Sequence, residues 1–289
     1  MSRTVYVNAA YLAEEDAKIS VFDRGFLFAD GVYEVSSVLK GTLIDNEAHL
    51  ARLHRSLNEL EMEPPASDED IVATQKELIA RNELEEGVIY LQVTRGAADR
   101  DFTYPEGATP SLVMFTQVKN LLESPQGANG ISVITLPDIR WTRRDIKTVG
   151  LLAPCMAKQA AKKAGADDAW MVEDGHITEG SSNNAYIVAH DGTVITRQLG
   201  NEILHGITRK AILKLAETIQ IKIEERPFTP DDAYDAAEAF ITSASTFVWP
   251  VVEIDGNPIG HGKVGPVARR LRQLYIEMAL QEVAEQAKT

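Results

Sequence analysis

The chain has 289 residues, 44% of them hydrophobic, which is enough to fill the core of two ordinary domains or one large one without covalent staples. Its single cysteine, Cys155, excludes an intramolecular disulfide and a cysteine-based metal cage, and reads as buried filler rather than as a nucleophile. A formal net charge of -14 argues against nucleic acid and anionic membrane as partners, because most of the surface repels both. The opening MSRTVYVNAAYL has no basic patch followed by an apolar core. No apolar run approaches the roughly 20 residues that span a bilayer, so a cytoplasmic location is expected.

In chain order, the first third predicts strands at Thr4–Asn8, Val32–Leu39 and Thr42–Asp45, the last two joined through Lys40–Gly41 as a hairpin. Glu47–Met62 places Leu50, Leu53, Leu57 and Leu60 at helical spacing. A second helix is expected near Glu69–Asn82, then strands Val88–Thr94 and Ser111–Val118. The run LLESPQGANG breaks the pattern with proline, glycine and asparagine. It divides the chain into a small N-terminal α/β domain (1–119), a linker (120–130) and a larger C-terminal domain (131–289).

Beyond the linker come a strand at Ile131–Leu136 and a helix near Pro154–Ala164. Two short strands, Ala169–Val172 and His176–Thr178, flank a turn at Asp174–Gly175, and Ala185–Ala189 turns at Asp191–Gly192 into Thr193–Thr196. A helix at Thr208–Ile219 and a strand at Glu238–Thr242 follow. A long helix at Gly265–Gln286 closes the chain, with Val267, Leu271, Leu274, Met278 and Leu280 as its apolar candidates. Strands and helices mixed in two blocks give an α/β (α+β) fold class.

Most lysines lie in charged helices. Lys147 instead sits in DIRWTRRDIKTVGLL between Ile146 and Val149–Leu152, where a partly dry setting would favour the neutral amine that covalent chemistry needs, or where it is an edge lysine without a task. HITEGSSNN at His176–Asn184 is either a polar turn or a strand end whose single carboxylate, Glu179, meets a ring nitrogen. At Gly206–Ile207–Thr208 a loop enters a helix, so free N–H groups can bind phosphate, or Thr208 simply caps the helix. Arg52 borders an apolar stripe and can clamp an anion or stay solvated. The histidines show no paired spacing that marks a metal site, and none is expected. P-loop, G-x-S-x-G and G-x-G-x-x-G patterns do not occur.

Together these segments resemble the fold-type IV pyridoxal-phosphate enzymes, and among them the D-amino-acid aminotransferases, over nearly the whole chain. The motifs that carry the resemblance are SVFDRGFLFADGVYEV (Ser20–Val35), HLARL (His49–Leu53), DIRWTRRDIKTVGLL (Asp138–Leu152), ITEGSSNNAYIV (Ile177–Val188), ILHGITR (Ile203–Arg209) and VVEIDG (Val251–Gly256). The resemblance implies pyridoxal phosphate held between a small and a larger domain in a homodimer. It implies that Lys147 carries the cofactor as an imine and afterwards moves the proton at the substrate Cα, and that Glu179 pairs with the pyridine nitrogen. Arg52, the backbone at Ile207 and Thr208, and the loop Ser243–Ala244 then bind the phosphate, while Ser182 and Asn184 lie near the ring.

Tyr33, together with Arg100 from the partner subunit, matches the family's holders of the substrate carboxylate. Two departures stand out. Phe102 occupies the place where D-specific members usually have histidine, and Ala244 replaces a common hydroxyl. The expected reaction moves an amino group from a D-amino acid, such as D-alanine or D-glutamate, to a 2-oxo acid by a ping-pong mechanism. A branched-chain L-amino-acid or (R)-primary-amine transaminase is the alternative within the fold. A lyase acting on aminodeoxychorismate fits the Lys147 and Tyr33 segments less well, and a non-catalytic binding protein is the alternative outside enzymes.

Overall fold

A computed structural model describes residues 2–288. The chain divides into two compact units; one runs up to Asn120 and takes in Ile146–Gly150 and the chain from Ala279 on, and the other holds Leu121–Asp145 and Leu151–Met278.

The first unit contains β1 (Thr4–Val7), β2 (Ala10–Ala13), α1 (Arg24–Phe28), β3 (Gly31–Leu39), β4 (Thr42–Ile44), α2 (Asn46–Glu59), α3 (Asp68–Arg81), β5 (Glu86–Thr94) and β6 (Ser111–Val118). Its six strands form one antiparallel sheet in the order β2-β1-β6-β5-β3-β4. The β3–β4 hairpin closes where expected, because Lys40 and Gly41 both take positive φ (48° and 72°), the twist that a tight hairpin needs. Strand β3 alternates over Val32–Ser36 and is buried on both faces from Ser36 to Leu39. Val32, Glu34 and Ser36 are buried on one face, and Tyr33 and Val35 are half-buried on the other. Leu50, Leu53 and Leu57 of α2 are buried in the same core as Val32, as their spacing predicts.

The second unit contains α4 (Pro125–Asn129), β7 (Ile131–Pro137), α5 (Leu152–Lys163), β8 (Asp168–Glu173), β9 (His176–Gly180), β10 (Asn184–Val188), β11 (Val194–Thr196), α6 (Ile207–Thr218), β12 (Ile223–Glu225), α7 (Pro230–Tyr234), β13 (Glu238–Ser243), β14 (Phe247–Ile254) and β15 (Asn257–Pro258). Helix α8 (Pro266–Gln286) begins here, and its last turns are counted with the first unit. The strands form a nine-stranded mixed sheet along the path β12-β11-β10-β13-β14-β7-β8-β9, with β15 paired to β14. Its core gathers Trp170, Ile187, Phe228, Ile241 and Ile254.

Several elements escape periodicity. Strand β14 runs through Pro250, which a central strand rarely tolerates, and α1, α4 and α7 have only five residues each. Pro125–Asn129, inside the stretch read as a connection, forms a helical turn capped by the Ser124 side chain. In α8 the fully buried positions are Ala268, Leu271, Tyr275 and Ala279, whereas Val267, Leu274, Met278 and Leu280 are half-buried. Alanine adds little to an apolar pattern yet marks close approach, so the buried face is rotated from the one that hydropathy selects. Cys155 is exposed on α5 and not core filler, because this helix buries only Ala157 and Ala161. Among the described residues no helix is long and apolar enough to cross a membrane.

Candidate active site

In the first unit the local structure around Lys147 is set by β3. The segment Ile146–Gly150 runs beside the start of that strand: the Tyr33 N–H donates to the Lys147 carbonyl at 3.0 Å, the Val149 N–H donates to Gly31 at 3.0 Å, and Val32 bridges Thr148. Ile146 is buried in the core, which anchors the backbone and leaves Lys147 half-buried, while Leu152 on its other side is exposed. Lys147 Nζ lies 4.2 Å from the centroid of the Tyr33 ring. That ring stacks on Tyr90 at 5.4 Å, and Tyr90 stacks on Phe115 at 4.7 Å. The stack follows from strand register, since Tyr90 pairs with Val35 on one side and Phe115 on the other. Burial pushes the Tyr90 hydroxyl above its ordinary range, so it stays neutral.

On the opposite face of β3, Glu34 receives Arg52 through two bonds, Nε to Oε1 and Nη2 to Oε2, both 2.8 Å, and meets His49 Nδ1 at 2.8 Å. All three side chains are buried. Burial alone would raise the proton affinity of Glu34, but the Arg52 charge and bonds, aided by His49, hold its carboxyl at about 2. Arg52 therefore neither faces solvent nor carries a bare charge. Glu34 and His49 were not singled out from the sequence, although both lie within or beside quoted motifs; a period of two along β3 and of three along α2 would have paired them.

Arg100 and Phe102 lie in the loop after β5 and are both exposed, Phe102 at 79%. The Arg100 guanidinium rests over Phe102 (5.4 Å) and over Phe28 of α1 (5.2 Å), so two rings flank its charge.

In the second unit Glu179 ends up buried, 4% exposed, on β9. Its Oε1 takes a 2.5 Å bond from Arg140 Nη1, and its Oε2 accepts from Asn184 Nδ2 (3.0 Å) and the Leu204 N–H (3.1 Å). Burial pushes its carboxyl up, and Arg140 is the main force pulling it back. Arg140, missed in the sequence reading although it lies within the DIRWTRR motif, also forks onto Asp138 through Nε (2.9 Å) and Nη2 (2.6 Å).

Asn184 starts β10 and pairs in register with Thr242, next to Ser243 at the end of β13. There Ser243 Oγ bonds Thr246 Oγ1 at 2.8 Å. Asn184 also approaches the entry to α6 so closely that a Cβ on Gly206 would lie 2.1 Å from its Oδ1, which makes glycine necessary. Gly206 is the N-cap of α6, and no side chain caps this helix. Thr208 is thus the second helical residue and not the cap, because the chain turns helical at Ile207. Glu179, Asn184, Gly206–Thr208 and Ser243–Ala244 are gathered through β9, β10, β13 and α6, while Ser182 is exposed in the turn before β10.

The arrangement supplies an amine on one unit, and on the other a buried carboxylate near an uncapped helix start and a hydroxyl turn. The amino-transferase class IV family model matches residues 31–254. A D-alanine aminotransferase of Staphylococcus aureus is 38% identical over 279 residues, covering 94% of this chain and 98% of that protein. One of Bacillus licheniformis is 38% identical over 281 residues, with 97% and 99% covered. Among solved structures, the branched-chain amino acid aminotransferase of Escherichia coli superposes with a TM-score of 0.89 at 23% identity, covering 96% of this chain and 95% of that one, a likeness of fold. A second branched-chain amino acid aminotransferase, from T.th. and solved with pyridoxamine 5'-phosphate, gives a TM-score of 0.87 at 26% identity, with 96% and 94% covered. On this match of motif, fold and length, the chain belongs to the class IV aminotransferases.

Proposed function

We propose that this chain is a pyridoxal-phosphate-dependent D-amino-acid transaminase, working as a cytoplasmic homodimer on D-alanine or D-glutamate and a 2-oxo acid. The observation that carries the substrate reading is the 38% identity to D-alanine aminotransferases over 94% of the chain. The donor set suits the cofactor. An uncapped helix start and the Ser243 turn suit a phosphate, and a buried carboxylate without full charge compensation suits a protonated ring nitrogen.

Arg52, the backbone of Ile207 and Thr208, and Ser243–Ala244 would hold the phosphate. Glu179 would face the ring nitrogen, and Ser182 and Asn184 would lie beside the ring. Pyridoxal phosphate supplies, when bound, an electron-withdrawing ring that takes up the electron pair released at the substrate Cα. Lys147 Nζ would be the covalent attachment point, and its amine, once free, would carry the proton from the substrate Cα to the cofactor carbon that bore the amine. Tyr33 and the partner subunit's Arg100 would hold the carboxylate, and thereby decide which face of Cα presents its hydrogen to Lys147. The boundary near 120–130 is read as the junction between the domain that carries Tyr33 and the one that carries Glu179.

Purified protein given the cofactor should be yellow, and Lys147→Ala should abolish both the chromophore and activity. Exposure of the holoenzyme to D-alanine, L-leucine and (R)-1-phenylethylamine separates the substrate classes by which of them bleaches the chromophore. D-alanine is the expected answer. Bleaching by L-leucine alone would overturn the D-specific reading. The exposed apolar ring of Phe102 beside Arg100 favours the branched-chain or primary-amine alternative in that event.

A further inference from the structure

The surroundings of Glu179 assign a task to Arg140, a residue bonded to Glu179 and Asp138. A carboxylate offers about four acceptor positions. Arg140, Asn184 and the Leu204 N–H take three of those on Glu179, and one remains. Two of the donors are neutral, so the full positive charge bonded to Glu179 comes from Arg140.

Arg140 is held in turn. Asp138 grips it on two nitrogens, the Thr178 hydroxyl donates to Asp138 at 2.7 Å, and Arg144 Nε lies 3.6 Å from the same carboxylate. Arg144 then pairs with Glu173 at 2.6 Å, whose side chain is 32% exposed. Charges therefore alternate from the surface inward: Glu173, Arg144, Asp138, Arg140, Glu179. The buried end is negative. A carboxylate at such an end takes up a proton and goes neutral unless an adjacent cation prevents it, and a neutral acid offers a ring N–H a much weaker acceptor.

We propose that Arg140 is a positioning residue for the reaction: it keeps Glu179 ionised and fixes Oε1, so that the remaining lone pair of the carboxylate accepts the proton-bearing ring nitrogen. The inference rests on the reading that Glu179 faces that nitrogen. The geometry gives Asp138 the opposite sign of influence, since its charge cancels part of the Arg140 field.

The test is the titration of Glu179 in the full-length apoprotein, followed by carboxyl-carbon NMR with Glu179→Gln to assign the resonance. Arg140→Gln and Arg140→Met should raise the midpoint by about one pH unit or more, a tenfold change in the protonation equilibrium. Arg140→Lys should restore much of the native value, and Asp138→Asn should lower it. The Asp138→Asn shift decides the matter even if the neutral Arg140 variants do not fold. A midpoint unmoved in folded Arg140→Gln, or unmoved in Asp138→Asn, overturns the proposal. In the holoenzyme the Arg140→Gln half-reaction should slow while cofactor affinity, set by the phosphate, stays within a few-fold. If Glu179→Gln leaves the half-reaction unchanged, the reading of Glu179 itself fails, whatever Arg140 does to its titration.

Discussion

Two buried glutamates show how the same side chain acquires opposite properties from its neighbours. Glu34 is gripped on both oxygens by one guanidinium and by an imidazole, and its carboxyl falls to about 2; Glu179 shares its guanidinium with Asp138, and burial keeps its carboxyl above the usual range. The depressed group has a consequence for acid stability. Because the folded value lies below the ordinary 4.5, the unfolded chain binds the proton more readily. Stability from this carboxylate is fully present above pH 4.5 and is lost as the pH falls toward 2, by on the order of 3 kcal/mol. Denaturant titrations across that window should show the loss, and Glu34→Gln should flatten it. At neutral pH, Glu34→Ala strands the buried Arg52 charge and should cost about 3–5 kcal/mol in unfolding free energy. A wild-type unfolding midpoint in that variant would show the pair to be dispensable.

At the scale of elements, α8 depends on a partner outside itself. The residue before it, Gly265, has no side chain to offer as a cap, and the buried Glu238 of β13 accepts from the Val267 N–H on Oε1 and the Ala268 N–H on Oε2, each at 3.0 Å. A carboxylate there satisfies two otherwise unpaired donors and meets the positive end of the helix dipole. The fit is close, since a Cβ on Gly265 would lie 2.0 Å from the Glu238 side chain. Glu238→Ala should therefore lower stability by about 1–2 kcal/mol, read as a drop in Tm, with the spectrum of bound cofactor unchanged. Arg272, one turn on, donates to the carbonyls of Leu121, Leu122, Thr246 and Val248, and so ties α8 to both the segment before α4 and the strand β14.

For the molecule as a whole, the proposed role of Arg100 makes a prediction about assembly. Phe22, Phe26 and Phe102 are all largely exposed on the first unit, in and around α1 and that loop. If two copies complete each other's carboxylate site, sizing should give twice the chain mass, and mixing Arg100→Leu with Lys147→Ala protein should recover part of the activity. The rescue arises because one hybrid site then contains both native residues. Absence of any recovery in verified mixed dimers would place Arg100 and Lys147 of the same chain in one site.

Much of this was written locally. The leucine spacing of α2 and the positive-φ pair at Lys40–Gly41 depend on residues close in sequence, and period and turn chemistry report them directly, whereas Lys147 and Glu179 stood out only through the resemblance of their motifs to a known family. Strand β14, which continues through Pro250, and the alanine face of α8 are fixed instead by what packs against them. Tertiary structure alone decided the charge partners: Glu34 reaches Arg52 across 18 positions and Arg140 reaches Glu179 across 39. A motif names the residue that does chemistry, but its ionisation follows from burial and from charges that only the folded chain brings within bonding distance.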